Sequence, residues 1–218
     1  MKQARNCLYN EAKSKLNMLL NVIIAIVVLI FAIEICFTVN YSGVYVVHGS
    51  MKPTLIGADS DDVIGGDYIY INKHAKPTYG DIVVVSVGEN EFFIKRAIAF
   101  GGDRVKLVEG KLFIKYKGKT EFELVPEQYI DANYNNPALK VNNFPDDESG
   151  YLVQDGHFFL MGDNRNESRD SRAMGSFPLS RLDGVATKWS IEHKSFCTAV
   201  YNYFKFQLPS YFGLKRSN

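Results

Sequence analysis

The sequence predicts a mainly β protein, with a single N-terminal transmembrane helix followed by an antiparallel β-sheet domain that carries a small inserted subdomain. Three observations support this fold class. A long apolar stretch runs from Met18 to Val39, β-branched and alternating segments follow between residues 81 and 191, and residues 117–155 are rich in Asn, Asp, Pro and Tyr. Alternating segments are typical of strands, whereas turn-forming residues with weak periodicity indicate a loop-rich insertion.

The apolar stretch of residues 18–39 is long enough to cross a bilayer as one helix, since at about 1.5 Å per residue it spans roughly 33 Å. Residues 1–17 hold four basic side chains and one acid, Glu11. Because positive charge favours the cytoplasmic side, we expect a cytoplasmic N-terminus and export of everything after about Asn40. The alternative is a cleaved signal peptide with Val22–Ile33 as its apolar core, but residues 37–41 make a poor cleavage site, so we predict a retained anchor.

The strands are predicted in chain order. Residues 81–87 are a β-branched run, and residues 91–100 alternate. Residues 105–108 and 111–116 are predicted to form a hairpin around Glu109-Gly110, and two further strands are expected at residues 156–161 and 184–191. The β domain would therefore comprise residues 40–116 and 156–194, with 117–155 inserted and 195–218 forming an aromatic tail that either lies at the membrane interface or ends the core.

Composition excludes several classes of protein. Lys and Arg number 25 against 24 Asp and Glu, for a net charge of +1, and no basic stripe is present, so a nucleic-acid partner is not expected. The assigned topology puts Cys7, Cys36 and Cys197 in three different compartments, which argues against a disulfide framework. The four histidines show no metal-ligand spacing.

Ser50 is a candidate nucleophile soon after the apolar stretch, in a segment where Gly49 allows a tight turn and Pro53 fixes the following chain. A serine hydroxyl needs a neighbouring base to remove its proton. Histidine is the commonest base, and the sequence leaves a Ser-His-Asp triad open with His48, His74, His157 or His193. Lysine is the second option, since some serine hydrolases use a Ser-Lys pair.

Lys95 is the candidate lysine, because strand periodicity puts it on the same face as Phe93 and Ala97. To act as a base near neutral pH its amine pKa must fall by roughly 3 from about 10.4, which costs about 4 kcal/mol. Burial among apolar side chains can supply a change of that size. The alternative is an edge-strand lysine that discourages aggregation.

A third polar segment, residues 161–172, directly follows the predicted strand at 156–161. It concentrates acidic, basic and hydroxyl side chains, which can pair with one another and lend a hydroxyl to a neighbouring site. The alternative is a charged turn whose surface ion pairs contribute little.

Together these segments resemble type I signal peptidase, a membrane-anchored Ser/Lys protease that removes signal peptides from exported proteins. The resemblance covers about residues 19–189, with the motifs in the family's order after an N-terminal anchor. These motifs are Gly49-Ser50-Met51-x-Pro53-Thr54-Leu55, Gly66-Asp67, Tyr79-Gly80-Asp81-Ile82-Val83, Lys95-Arg96-Ala97, Gly102-Asp103-x-Val105, Gly162-Asp163-Asn164-Arg165, Ser168, Asp170-Ser171-Arg172 and Gly175.

The resemblance implies a role for each matching residue. Ser50 would be the acylating nucleophile, its backbone N–H an oxyanion donor, and Lys95 the general base that Ser168 orients through a hydrogen bond. Met51 would lie near substrate pockets that accept small residues at the first and third positions before the cut. Ion pairs would brace the site through Asp163, Arg165, Asp170 and Arg172. No metal or organic cofactor is implied.

His48 departs from the family, in which this position holds a serine whose hydroxyl is a second oxyanion donor, or a glycine. An imidazole N–H can also donate, so His48 is a candidate oxyanion donor. We expect a monomer whose partners are preprotein signal peptides and membrane lipid, with its catalytic domain on the outer side of a plasma or inner membrane.

Three alternative functions remain. One is a specialised signal peptidase of a secretion or conjugative-transfer system. Another is a self-cleaving regulator related to the LexA repressor family, but the chain has neither an Ala-Gly dipeptide to cut nor a basic helical domain. The last is a non-catalytic membrane-anchored binding module, which the presence of both Ser50 and Lys95 disfavours.

Overall fold

The computed structural model describes residues 2–60, 63–89, 91–137, 144 and 149–207, and the chain divides into two compact units, residues 1–41 and 42–218. The first unit is one long helix, α1 (Lys2–Asn40). Within it, Lys13–Asn40 is long and apolar enough to cross a membrane, and its most apolar window buries none of its residues. The helix starts at Lys2, so residues 2–17 of the predicted N-terminal segment are part of the same helix as the apolar stretch.

The second unit is built on two sheets. The strands are β1 (Tyr41–Tyr45), β2 (Tyr68–Asn72), β3 (Ile82–Gly88), β4 (Glu91–Phe100), β5 (Arg104–Val108), β6 (Lys111–Lys115), β7 (Glu123–Leu124), β8 (Tyr151–Leu152), β9 (His157–Met161), β10 (Phe177–Pro178) and β11 (Leu182–Ala186). A one-turn helix, α2 (Ser171–Met174), lies between β9 and β10 in the chain. The larger sheet has seven strands in the order β1-β2-β11-β3-β4-β9-β10, and the smaller has four in the order β7-β6-β5-β8.

Strand β3 shows why these segments form a buried sheet. Ile82 and Val84 belong to one core cluster, whereas Val83 and Val85 belong to another on the opposite face. Successive side chains of a strand point to opposite faces, so a continuous β-branched run is needed where both faces are covered. The hairpin of β5 and β6 is confirmed, and its turn residues Glu109 and Gly110 have φ of 50° and 74°, as a tight two-residue turn requires.

Strand β4 changes partners along its length. Between Glu91 and Arg96 it pairs with β3, and from Arg96 to Phe100 it pairs with β9. Arg96 is opposite both Ile82 and Met161. Residues 91–95 therefore have a strand neighbour on one side only, within the strands that the structure describes.

Two of the predicted elements differ from the structure. The predicted strand at 184–191 ends at Ala186, because Thr187 caps a short helix, α3 (Lys188–Glu192), by accepting a hydrogen bond from the Ser190 N–H. The first part of the predicted tail forms α4 (Lys194–Asn202), followed by a π-helical turn (Tyr203–Gln207). Residues 208–218 of the predicted tail lie outside the described residues.

The predicted insertion 117–155 is partly described. It contributes β7 to the edge of β6 and β8 to the edge of β5, together with a 3-10 turn (Ala132–Tyr134). The smaller sheet thus combines strands from the predicted segments 40–116 and 117–155. Residues 138–143 and 145–148 lie outside the described part of the chain.

Candidate active site

The segment that follows β1, residues 46–55, carries Ser50 and is named here the nucleophile loop. Two buried side chains, Met51 and Leu55, anchor it in the core. The His48 N–H donates to the Ala58 carbonyl (2.8 Å), and His48 has a φ of 65°, a left-handed conformation that favours glycine. Glycine adopts this backbone conformation without strain. Here His48 adopts it, and its imidazole is exposed.

The Lys95 Nζ lies 2.8 Å from the Ser50 Oγ, in hydrogen-bond contact. Lys95 is on β4, and its amine also donates to the Ile94 carbonyl (2.9 Å). The amine lies 5.1 Å from the centroid of the Phe93 ring, as expected for side chains on one strand face. The structure therefore brings together the two residues proposed from sequence as nucleophile and base.

Burial lowers the pKa of Lys95 from its ordinary value of 10.5 to about 8. Only 4% of the residue is exposed, so the ammonium form loses most of its hydration. The carboxylates of Asp170 and Asp163 act in the opposite direction and raise the pKa, while Arg172 lowers it further. Desolvation is the largest of these effects, and it leaves an amine that can lose its proton in mildly alkaline solution.

Asp163 is fully buried and joins the polar segment to β4. Its carboxylate accepts two hydrogen bonds from the Arg96 guanidinium, Nε to Oδ1 at 2.8 Å and Nη2 to Oδ2 at 2.5 Å. The Thr54 hydroxyl also donates to Oδ2 (2.5 Å). Asp163 therefore connects the strand that carries Lys95 with the loop that carries Ser50.

Asp170 and Arg172 form a second buried ion pair. The guanidinium donates from Nε to Oδ1 and from Nη2 to Oδ2, both at 2.9 Å. Asp170 also accepts from the Gly162 N–H (2.9 Å), and Arg172 donates to the Arg165 carbonyl (2.9 Å). The pair thereby closes the polar segment into a rigid loop beside Lys95.

Arg165 pairs with Glu127, which lies in the predicted insertion. Both side chains are almost completely buried, and the guanidinium also donates from Nε to the Gly162 carbonyl (3.1 Å). Beside this pair, the Tyr129 ring covers the Arg96 guanidinium at 3.7 Å. Burial, as the largest cause, raises the pKa of Tyr129, whose hydroxyl donates to Glu127 (2.5 Å). The four sequence-predicted charges are thus all in buried ion pairs.

The predicted hydrogen bond from Ser168 to Lys95 is not present. Among the described residues, the buried Ser168 hydroxyl has no hydrogen-bond partner. Both segments come close to Gly162, where an added Cβ would meet the Ser168 Oγ at 2.3 Å and the Ser50 carbonyl at 2.4 Å. The glycine is what allows the polar segment to approach the nucleophile so closely.

Asn164 fixes the nucleophile loop from the polar segment. Its N–H donates to the Ser50 carbonyl (3.0 Å), and its side-chain amide donates to the Gly49 carbonyl (3.0 Å). Nothing in the described part of the chain accepts a hydrogen bond from the Ser50 N–H. That amide is therefore available to an acceptor outside the protein, as an oxyanion donor must be. The His48 imidazole likewise makes no hydrogen bond with a described residue.

A cleft of about 930 Å³ opens at the Ser50–Lys95 pair. Apolar side chains line it, among them Val44, Met51, Val84 and Ile94. Strand β1, the first strand of the larger sheet, and residues 91–95 of β4 both border the cleft. Strand edges that border a cleft can pair with an extended peptide through their backbone N–H and C=O groups.

Comparison with known proteins identifies the family. The model of the family described as signal peptidase, peptidase S26, matches residues 17–190. The chain belongs to this signal peptidase family. It is therefore a serine endopeptidase, and its function by homology is that of signal peptidase I.

Two relatives of this signal peptidase illustrate the match. Signal peptidase I of Bacillus amyloliquefaciens is 34% identical over 148 residues, covering 65% of this chain and 72% of the relative. Signal peptidase I of Aquifex aeolicus is 31% identical over 188 residues, covering 63% and 70% of the two chains. A solved signal peptidase I from Enterococcus faecalis aligns with 24% identity and a TM-score of 0.39, over 52% of this chain and 98% of that one.

Sequence reasoning about this signal peptidase missed four supporting residues. Arg96, Thr54 and Asn164 stand inside the motifs, but no pattern shows that they bridge the polar segment to Ser50 and Lys95. Glu127 lies in a segment interpreted as an insertion, where nothing local indicates a buried partner for Arg165. Within the described residues, no group of three or more metal-ligating side chains occurs.

Proposed function

We propose that this signal peptidase removes N-terminal signal peptides from exported preproteins, cutting after small-x-small sites with Ser50 as nucleophile and Lys95 as general base. The observation that carries the proposal is the 2.8 Å contact between the Lys95 amine and the Ser50 hydroxyl, together with the lowered pKa of that amine. A neutral amine in this position can accept the serine proton as the hydroxyl oxygen attacks.

The reaction proceeds in two halves. The Ser50 oxygen attacks the scissile carbonyl carbon while its proton passes to Lys95, and the ammonium then gives that proton to the leaving amine as the C–N bond breaks. Water attacks the resulting ester, again losing a proton to Lys95, and the Ser50 oxygen leaves with a proton. The unpaired Ser50 N–H, and the imidazole of His48, donate to the oxygen that becomes negatively charged in each half.

Ser168 is proposed to orient the base. A neutral lysine amine has two N–H groups, and one of them already donates to the Ile94 carbonyl. A buried hydroxyl without a partner is costly, so a rotation that lets Ser168 accept the second N–H gains a hydrogen bond. That arrangement would leave the lone pair of Lys95 directed at Ser50.

The cleft supports the small-x-small preference. An extended substrate lying between β1 and residues 91–95 of β4 would present alternate side chains to one wall. Val44, Met51, Val84 and Ile94 line the cleft, and pockets bounded by these side chains would suit small residues before the cut. Met51 is the residue proposed from sequence for this contact.

Anchoring through Lys13–Asn40 with a cytoplasmic N-terminus would put the cleft on the outer side of the membrane. A preprotein held in the same bilayer by its own apolar segment would then meet Ser50 by diffusion in two dimensions. The partners would be signal peptides and lipid, and the enzyme would act as a monomer. Cleavage dedicated to one secretion or transfer system is a narrower form of the same proposal.

The test is cleavage of a preprotein with an Ala-x-Ala site by the full chain in detergent. We expect the wild type to cut, and Ser50→Ala and Lys95→Ala to be inactive although each binds the substrate. Ser180→Ala and Lys111→Ala are matched controls, because both side chains are exposed and lie outside the cleft. Retained cleavage by either dyad variant would refute the mechanism, whereas an inert wild type would refute this substrate class.

A further inference from the structure

Helix α4 lies beyond residues 17–190, the part of the chain that matches the signal peptidase family. It nevertheless packs directly on the elements that form the cleft. The Tyr201 ring stacks on Tyr68 of β2, with centroids 4.2 Å apart and planes at 12°, and on Tyr45 of β1 at 5.1 Å. The Tyr68 N–H donates to the Thr198 hydroxyl (2.8 Å). Three tyrosines from three elements thus form one stack, named here the aromatic wall.

The first residue of α4 holds the helix against the nucleophile loop. The Lys194 amine donates to the Thr54 carbonyl (2.7 Å) and to the Asp67 carboxylate (2.9 Å). Asp67 in turn accepts from the Ile56 N–H (2.8 Å). One end of α4 is therefore joined to the segment that carries Ser50, and its far end is joined to the aromatic wall. Such contacts at both ends fix the position of the helix.

The aromatic wall faces the substrate cleft. Tyr45, Tyr68 and Tyr201 line the same cleft as Ser50 and Lys95. Lys205 also lines it, with its amine 5.5 Å from the Tyr45 ring and 5.3 Å from the Tyr201 ring. The wall presents ring surface with a cation beside it, which suits an apolar or aromatic side chain.

The position of the wall relative to the cut follows from the chain. Tyr45 is five residues before Ser50 along β1 and the nucleophile loop, so it lies at most about 17 Å from the nucleophile. An extended peptide covers that distance in at most about five residues. Val44, which the proposed function assigns to the pockets before the cut, precedes Tyr45 directly. Since the two residues are adjacent on β1, the wall is on the same side of the cut as those pockets.

We propose that the aromatic wall is a further specificity site, which binds a large apolar or aromatic side chain no more than about five residues before the cleaved bond. The proposal rests on the proposed function, because it needs a peptide substrate in this cleft. It assigns to α4 a direct part in choosing substrates.

The experiment compares peptides with one Ala-x-Ala site, using the full chain in detergent. One peptide carries Phe at the fifth residue before the cut, and its partner carries Gly there. We expect the wild type to favour the Phe peptide about tenfold in kcat/KM, as a ring contact allows. Tyr201→Ala should reduce that ratio to about one, through KM rather than kcat. Tyr203→Ala, an exposed tyrosine that does not line the cleft, is the matched control and should keep the ratio.

Two further measurements separate failure of the aromatic wall from failure of the proposed function. If Tyr201→Ala does not fold, Tyr201→Leu keeps the buried volume but not the stack, and its ratio decides in the same way. Anisotropy of labelled peptides on Ser50→Ala measures the Phe preference without turnover. A wild type that cuts both peptides equally, or a Tyr201 variant that keeps the preference, overturns the aromatic wall. A wild type that neither binds nor cuts any peptide overturns the proposed function instead.

Discussion

The dependence of kcat/KM on pH is the most direct consequence of the buried Lys95. The amine has a pKa of about 8 and must be neutral to accept the Ser50 proton. Because kcat/KM reports the free enzyme, its acidic limb should have the pKa of Lys95. The perturbation is therefore pH itself, with the enzyme otherwise unchanged.

The magnitude follows from that pKa. With a pKa of about 8, roughly one-tenth of the enzyme carries a neutral amine at pH 7, about half at pH 8 and about nine-tenths at pH 9. We thus expect kcat/KM to rise about tenfold between pH 7 and pH 9 and then level off. An ordinary lysine at 10.5 would give a rise of about a hundredfold over the same interval without a plateau.

The assay uses a peptide that contains an Ala-x-Ala site and no group titrating between pH 6 and 10. Enzyme held at each pH and returned to pH 8.5 before assay shows whether lost activity is reversible. Lys95→Arg is the matched variant, because a guanidinium stays protonated throughout this range and cannot act as a base. It should lose at least about 10²-fold at every pH.

Three results would refute the reasoning. An acidic limb of the kcat/KM profile with a pKa near 6.5 would point to a histidine as the base, as in a Ser-His-Asp site. A limb above about 10, with no plateau, would mean that burial does not lower the pKa of Lys95. Activity in Lys95→Arg with an unchanged limb would also exclude this residue as the base.

Three further predictions concern stability and turnover. Lys95→Met should raise the free energy of unfolding by about 1–3 kcal/mol at pH 7, because it removes a buried ammonium. This gain should shrink between about pH 8 and 10.5, because in that range Lys95 is still protonated in the unfolded wild type but has lost its proton in the folded wild type. Denaturant unfolding of both proteins across that range checks the prediction. Glu127→Gln should lower the free energy of unfolding by about 3 kcal/mol, since it leaves the Arg165 charge buried and uncompensated. The exposed Glu121→Gln is its control, and equal stability of both variants would contradict the buried pair. His48→Gly should cut kcat about 10²-fold without loss of stability, because glycine adopts the φ of 65° readily while the imidazole donor is gone, and full activity would exclude His48 from the oxyanion site.

Sequence reasoning reached the mainly β fold because strand periods and turn residues act locally. The run at 81–87 and the turn at Glu109-Gly110 each determine their own backbone, so they could be predicted without knowledge of the rest of the chain. Of the strand predicted at 184–191, only residues 184–186 belong to β11, since a single cap at Thr187 outweighs the apolar run around it. Whether Thr187 can cap a helix depends on where β11 ends, and that end is set by the pairing of β11 with its neighbours in the sheet.

The candidate site was predictable where the chemistry needs particular residue types in a fixed order. Ser50 and Lys95 are far apart in sequence, and their motifs pointed to both. Their supports were less predictable, because a buried charge can pair with any opposite charge that the fold brings near it. Asp163 pairs with Arg96 and Arg165 with Glu127, and neither pairing has a local signature.

One peptide step on β4 separates two residues with opposite requirements. In the proposed mechanism Lys95 must be able to lose a proton next to Ser50, whereas Arg96 must keep its charge beside Asp163. A slip of the strand by one residue would put Arg96 in the place of Lys95, and a guanidinium there cannot act as a base at any physiological pH. Since Arg96 is the residue opposite both Ile82 and Met161, this register is held from two sides at once. Misregistered molecules would be inactive and not merely slow, so specific activity measures what fraction of a preparation has folded with β4 in register.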